Sequence, residues 1–264
     1  MEIGIIGFGH LAAAFVDGVM KKGLFAGRKL HLYNRSQERL LKAEKELGAH
    51  IYADINQLIE ASDVIILAVK PEVFPQLAPM IEGRLLAKKT LISFMAGTTM
   101  QEITDLLATD CQIVRVMPNI ALKNAQSVTG MAANNYDRSR YAEIKKLFCG
   151  LGYVLEVTED EIEKVTVLSG SGLGFAAAVL DNFVQAGVRL GFSPEQATKI
   201  VEQTFSGALG LGDFAKTVEG VATKGGVTEQ GINVLRAYNV EQIVWETVDS
   251  AYKKTESIKR RRQL

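Results

Sequence analysis

The sequence predicts an α/β protein with a mainly parallel, Rossmann-like sheet domain, followed by an all-α C-terminal domain. Three observations lead there. Over residues 1–158, short apolar runs alternate with stretches of helical spacing, the pattern of strand–helix–strand units. The run Val64–Val69 is apolar at every position, as a parallel strand buried on both faces must be. Beyond Thr158 the strand-like runs cease, and only helical patterns remain to the end.

The elements follow in order. Glu2–Ile6 reads as a short strand, and Leu11–Lys22 as a helix with Leu11, Ala14, Phe15 and Val19 on one face. Lys29–Tyr33 is a second strand, after which Ser36 caps a helix to about Leu47. His50–Tyr52 and Asp63–Val69 are strands on either side of a short helix, Asn56–Ala61. Thr90–Phe94 and Gln112–Met117 are further strands, each preceded by a helical stretch, and Ser127–Met131 and Tyr153–Val157 complete the sheet. The second half is expected to hold three helices: Glu161 to about Leu190, Pro194–Asp213, and about Gln230–Ile258. Lys224-Gly225-Gly226 breaks the chain between helices. The domain boundary is therefore placed near 158, giving domains 1–158 and 159–264 with no flexible tether.

Composition closes several function classes. Of 264 residues, 47% are hydrophobic and 23% charged, enough apolar material for a sizeable core. Thirty Lys and Arg balance thirty Asp and Glu, so no global basic field draws the chain to nucleic acid. The one basic run, Lys259–Arg262, reads as a solvated tail. Cys111 and Cys149 form no CxxC pair, and His10, His31 and His50 form no metal-ligand grouping, so neither a disulfide scaffold nor a metal site is expected. The uncharged stretch Val165–Leu180 is shorter than a membrane span, and the start MEIGIIGFG carries no secretory pattern. The expectation is a cytoplasmic protein without membrane or nucleic-acid partners.

Gly7-Phe8-Gly9-His10-Leu11-Ala12 reads GxGxxA, directly after a strand and opening a helix. In that context Gly7 permits the tight turn, Gly9 lets backbone approach a pyrophosphate, and Ala12 lets helix and strand pack closely. The helix start offers unpaired N–H groups and partial positive charge to phosphates. Dinucleotide binding follows, with Gly7, Phe8, Gly9, His10 and Leu11 as its phosphate cradle. The second strand ends Tyr33-Asn34-Arg35-Ser36, without the acid that usually holds a ribose 2′-hydroxyl. Asn34 and Ser36 are hydrogen-bonding groups there, and Arg35 is suited to a 2′-phosphate, so NADPH is expected, with NADH as the second choice. The opposing reading makes Arg35 an ordinary surface residue. Ala68-Val69-Lys70-Pro71 and Ser93–Gly97 end the fourth and fifth strands at the carboxyl edge, where such sheets place ligands; each also reads as a plain strand-to-helix turn.

Taken together, GIIGFGHLAAA (4–14), AVKP (68–71), SFMAG (93–97), RVMPN (115–119), VTVLSGSG (165–172), the stretch from Phe175 through Thr204, and KGGVT (224–228) resemble, in order, the Δ1-pyrroline-5-carboxylate reductase family. The resemblance implies a nucleotide domain, a helical domain that interlocks with its twin in a homodimer or a higher assembly of dimers, and NAD(P)H reduction of a cyclic imino acid to L-proline. It assigns Lys70, Pro71, Ala96 and Gly97, with Ala68 and Val69, to the cofactor, and Met117 and Asn119 to the nicotinamide end. It assigns Pro118, Ser169, Gly170, Gly172, Gly225 and Gly226 to the substrate, and Ser171 and Thr228 to catalysis, Thr228 near the imine nitrogen.

The chain departs from the family pattern at Ile120-Ala121 after MPN, at Leu173 after SGSG, and at Thr223-Lys224 before the glycine pair. Lys224 reads either as an added positive charge at the substrate or as a solvated lysine, and Thr228 either as a proton-handling hydroxyl or as a helix N-cap. Two alternatives stand beside the main reading. One is a β-hydroxyacid-dehydrogenase-like reductase, with Lys164 as its catalytic lysine. The other is a non-catalytic or altered-specificity NADP-binding paralogue, motivated by the substrate-side departures.

Overall fold

The structure is a computed structural model that describes residues 1–27, 29–84, 88–134 and 137–262, except for the side chains of 37–39, 42 and 260–262. Its contacts fall into two compact units: residues 1–170 together with 252–264, and residues 171–251.

The first unit is built on an eight-stranded sheet in the order β3-β2-β1-β4-β5-β6-β7-β8. The strands are β1 (Ile3–Ile6), β2 (Leu30–Tyr33), β3 (His50–Ile51), β4 (Val64–Leu67), β5 (Thr90–Ser93), β6 (Gln112–Pro118), β7 (Ser127–Ala133) and β8 (Gly152–Glu156). All neighbours are parallel except β6 and β7, which run antiparallel with Val116 opposite Met131. The helices are α1 (His10–Lys21), α2 (Gln37–Leu47), α3 (Ile55–Glu60), α4 (Phe74–Ile81), α5 (Met100–Leu107) and α6 (Arg138–Cys149). β1, β4 and β5 are buried along their whole length. Alternate residues feed two cores: Ile3 and Ile5 join one with Phe15 and Phe148, and Ile6 joins the other with Leu67, Phe74 and Ile103. Burial on both faces explains why these strands read as unbroken apolar runs. The reversal of chain order beside β1 places a crevice at the carboxyl ends of the strands, between β1 and β4.

The helical half departs from expectation at three places. The helix expected from Glu161 to Leu190 is α7 (Ile162–Val165), a π-helical stretch over Thr166–Ser171, and α8 (Gly172–Arg189). After α9 (Pro194–Leu211), whose Ser193 and Gln196 make a capping box, an unanticipated α10 (Phe214–Val221) follows, with Asp213 accepting from the Lys216 N–H at its start. The helix expected over Gln230–Ile258 is two, α11 (Val227–Ala237) and α12 (Val240–Arg262), because Asn239 adopts a left-handed conformation at φ 49°. By contacts the compact units divide at 170/171, since Glu159 and Glu163, just past the strand-to-helix change near 158, are tied into the sheet by Arg115. In the basic run, only Lys259 has a described side chain, and it pairs with Asp160. Glu159–Arg189 is long and apolar enough to cross a membrane by length and composition, and 6% of its 18-residue apolar window is buried.

Candidate functional site

The turn from β1 to α1 is shaped by Gly7. It sits at φ 92°, its N–H donates to the Tyr33 carbonyl at 2.8 Å, and a Cβ there would lie 2.9 Å from the Ala68 backbone. Only glycine fits. Gly9, by contrast, has ordinary angles and open space where its Cβ would be, so a ligand can approach its backbone. Gly9 is also the N-cap of α1, and no side chain caps that helix. The first-turn N–H groups have no intrahelical acceptor by construction and face outward as anion donors.

Asn34 braces this turn. Its Oδ1 accepts from the Phe8 N–H at 3.2 Å, and its Nδ2 donates to the Ser36 carbonyl at 3.0 Å. The Asn34 amide therefore joins the β1 and β2 tips and positions the loop. Arg35 beside it is exposed. Ser36 is the N-cap residue of α2 and makes no side-chain cap bond. A cleft of about 360 Å³ brings together Gly7, Phe8, Gly9, Asn34, Arg35, Ala68, Val69 and Lys70. Val73, Gln76, Leu77 and Met80 form its far wall, and none of them was expected from sequence. They lie along α4 and the 3₁₀ turn before it at helical spacing, the signal that was available. His10 borders a separate hollow with Asp17 and Glu46, and Leu11 packs against the core.

The chemistry of the cleft fits the adenosine and phosphate part of a dinucleotide. An open helix N-terminus suits a pyrophosphate, the apolar Val73–Leu77–Met80 wall suits a purine, and the exposed Arg35 suits a ribose phosphate.

Further along the edge, a small cavity of about 210 Å³ is lined by Pro71, Ala96 and Gly97 together with Glu163. Met117, Pro118 and Asn119 are buried at the end of β6. Asn119 donates from Nδ2 to the Ser169 hydroxyl at 3.1 Å and accepts from the Ala121 N–H at 3.0 Å. Ser169 in turn donates to the Val128 carbonyl at 3.1 Å, inside the π-helical stretch that also holds Gly170. π-helical turns recur at functional positions, and this one was invisible to helical periodicity.

In the second unit, Ser171 and Gly172 begin α8, and Gly225, Gly226 and Thr228 lie at the start of α11. Gly225 adopts φ 74°, and its N–H donates to the Glu229 carboxylate at 2.7 Å. A carboxylate thus already occupies the donor that the resemblance gives to the substrate acid. Gly226 is the N-cap of α11, which displaces the N-cap reading of Thr228; that side chain is exposed one residue inside the helix. Lys224 and Lys164 are both exposed.

A doubly wound sheet with a GxGxxA turn at its switch point, in a chain that also carries a helical unit, is the architecture of dinucleotide-dependent oxidoreductases. Comparison with known proteins narrows this. Residues 2–97 match the family described as NADP oxidoreductase, coenzyme F420-dependent, and residues 159–258 match pyrroline-5-carboxylate reductase dimerisation. A pyrroline-5-carboxylate reductase of Staphylococcus aureus is 30% identical over 258 residues, 95% of each chain. Among solved structures, the 1-pyrroline-5-carboxylate reductase of Streptococcus pyogenes is similar with a TM-score of 0.87 at 25% identity, over 97% of this chain and 98% of that one. A reductase of the same name from Coxiella burnetii gives 0.84 at 28% identity, over 97% of each chain. This chain belongs to the pyrroline-5-carboxylate reductase family, a family of homo-oligomeric, nicotinamide-dependent enzymes acting on a small molecule. The membership displaces the β-hydroxyacid-dehydrogenase alternative.

Proposed function

We infer that this enzyme reduces 1-pyrroline-5-carboxylate to L-proline, with NADPH as the preferred cofactor, in a cytoplasmic homodimer. The observation that carries the inference is the uncapped N-terminus of α1 at Gly9, open to a cleft that ends at Arg35. When bound, the reduced dinucleotide supplies the hydride that the imine carbon accepts. The chain's own residues bind and orient. The N–H groups from Gly9 to Leu11 hold the pyrophosphate, Arg35 pairs with the 2′-phosphate, and Lys70 adds positive charge at the β4 edge. Gly225 directs an N–H to the substrate carboxylate in place of Glu229. Thr228 holds a proton at the ring nitrogen through its hydroxyl, which keeps the carbon electrophilic; Ser171 and Gly172 line the same substrate by their position at the opening of α8.

Apolar exposure supports the homodimer. Phe183, Leu190, Leu209, Tyr238 and Trp245 are all at least half exposed, more apolar surface than a lone unit keeps in water. The free state of Cys111 and Cys149 agrees with a reducing compartment.

The test is a steady-state assay with 1-pyrroline-5-carboxylate and either cofactor. Turnover with NADPH above NADH is expected. Tight NADPH binding without turnover would instead favour the non-catalytic paralogue. A Thr228→Ala enzyme is expected to lose about 100-fold in kcat with its fold intact; unchanged kcat/KM would remove Thr228 from the mechanism.

A further inference from the structure

Arg115 is a charge in the middle of an apolar strand, flanked by Val114 and Val116, and it is 1% exposed. A buried guanidinium must be paired, and two acids from the start of the helical region meet it. Its Nη2 donates to Glu163 Oε1 at 2.8 Å, and its Nη1 donates to Glu159 Oε1 at 3.3 Å. Neither acid stops there. Glu163 Oε1 also accepts the N–H of Gly97 at 3.1 Å, and Glu159 Oε1 accepts the N–H of Met100 at 2.6 Å. The connection from β5 to α5 is therefore fastened within the loop, at Gly97, and at the first residue of α5, Met100, by carboxylates that Arg115 holds in place. Gly97 is buried at φ 66°, a left-handed conformation that glycine adopts without strain. Glu163 lines the 210 Å³ cavity with Pro71, Ala96 and Gly97. Six residues further along the same helical run, Ser169 is tied to Asn119, which follows β6 four residues after Arg115.

We propose that Glu163, held by Arg115, is a positioning residue for the cofactor: it fixes the Ala96–Gly97 backbone at the height on the sheet edge where the nicotinamide end of the dinucleotide lies. This rests on the reading of the β5 edge as part of the cofactor site. A charge-assisted bond to a backbone N–H fixes a loop more firmly than a neutral one does. Glu163 makes both contacts, to Arg115 and to the Gly97 N–H, through Oε1, so one oxygen joins the guanidinium to the loop.

Glu163→Gln leaves Arg115 paired with Glu159 alone and tests stability and positioning together. A second variant separates them. Arg115→Met combined with Glu163→Leu removes the fully buried pair with little change of volume, an exchange that buried pairs commonly tolerate, and leaves the charge of Glu159, whose side chain is 27% exposed, to solvent. Thermal unfolding, NADPH titration by fluorescence, and steady-state kinetics are measured on the whole enzyme. The double variant is expected to regain the Tm lost by Glu163→Gln, yet to keep a Kd and KM for NADPH raised about tenfold, with kcat at saturation within about threefold of the parent. Glu163→Asp combined with the native Arg115 is expected to recover part of that affinity. A double variant with native Tm, Kd and KM overturns the proposal, since the pair would then be merely structural. Failure of the parent enzyme to bind NADPH would overturn the cofactor-site reading itself, a result visible before any variant is made.

Discussion

The sheet unit and the helical unit distribute their apolar residues in opposite ways. In the first, β1, β4, β5 and β6 are buried throughout, and two cores close over both faces of the sheet. In residues 171–251, Ala197 and Val201 are the two buried residues, while Leu190, Val227 and Trp245 are 80%, 93% and 60% exposed. Comparable apolar content therefore gives a self-contained fold in one case and an adhesive surface in the other. The sheet unit closes its own cores, whereas the helical unit keeps exposed apolar surface of the kind that contacts between copies cover.

The sharpest way to break that contrast is to place a charge on the exposed helical face. Trp245→Glu is expected to weaken assembly about 1,000-fold in sedimentation experiments and to abolish most turnover, while NADPH affinity changes by less than about threefold. An intact oligomer would show that the exposed face is not an interface. Next in size, Gly9→Val fills the open space above the α1 N-terminus without backbone strain. It is expected to lower NADPH affinity about 100-fold, with Tm and oligomeric state unchanged. Arg35→Ala is expected to cost NADPH about tenfold in kcat/KM and to leave NADH untouched, which separates the phosphate contact from the rest of the cleft.

The smallest effect is a pH dependence confined to the sheet unit. His31 is 5% exposed; burial holds its pKa below the ordinary 6.5, against the upward pull of Glu2 and with a smaller downward push from His50 and Lys29. Its ring meets Tyr52 Oη at 2.9 Å and lies 3.4 Å from Glu2. A depressed folded-state pKa means the unfolded chain binds the proton first as pH falls. Stability is therefore expected to be complete above about pH 6.5 and to decline below it toward the folded-state pKa. A His31→Leu variant should show a shallower decline in urea unfolding between pH 7 and pH 5.

The contrast also explains what the sequence revealed. Strands buried on both faces announce themselves, so Val64–Leu67 and the GxGxxA turn that borders the cleft were legible. Arg115 carried a visible signal, a lone charge inside an apolar strand, but its partners Glu159 and Glu163 lie more than forty residues away, and only the fold joins them. The wall formed by Val73, Leu77 and Met80 read as an ordinary helix face because the sequence does not say which face meets a ligand. In the helical half, Asn239 ends α11 by a backbone choice that periodicity does not register, and the π-helical stretch at Thr166–Ser171 keeps its helical composition while changing its hydrogen bonding. Asp213 before Phe214 was a readable N-cap for α10 that the run of exposed apolar residues obscured.

The most direct test is calorimetric titration of the purified enzyme with NADPH and NADH, alongside Gly9→Val. The β1–α1 turn is predicted to bind NADPH more tightly than NADH in the parent and to lose both in the variant. A parent enzyme that binds neither cofactor, or a Gly9→Val enzyme that binds both as well as the parent, would contradict the account.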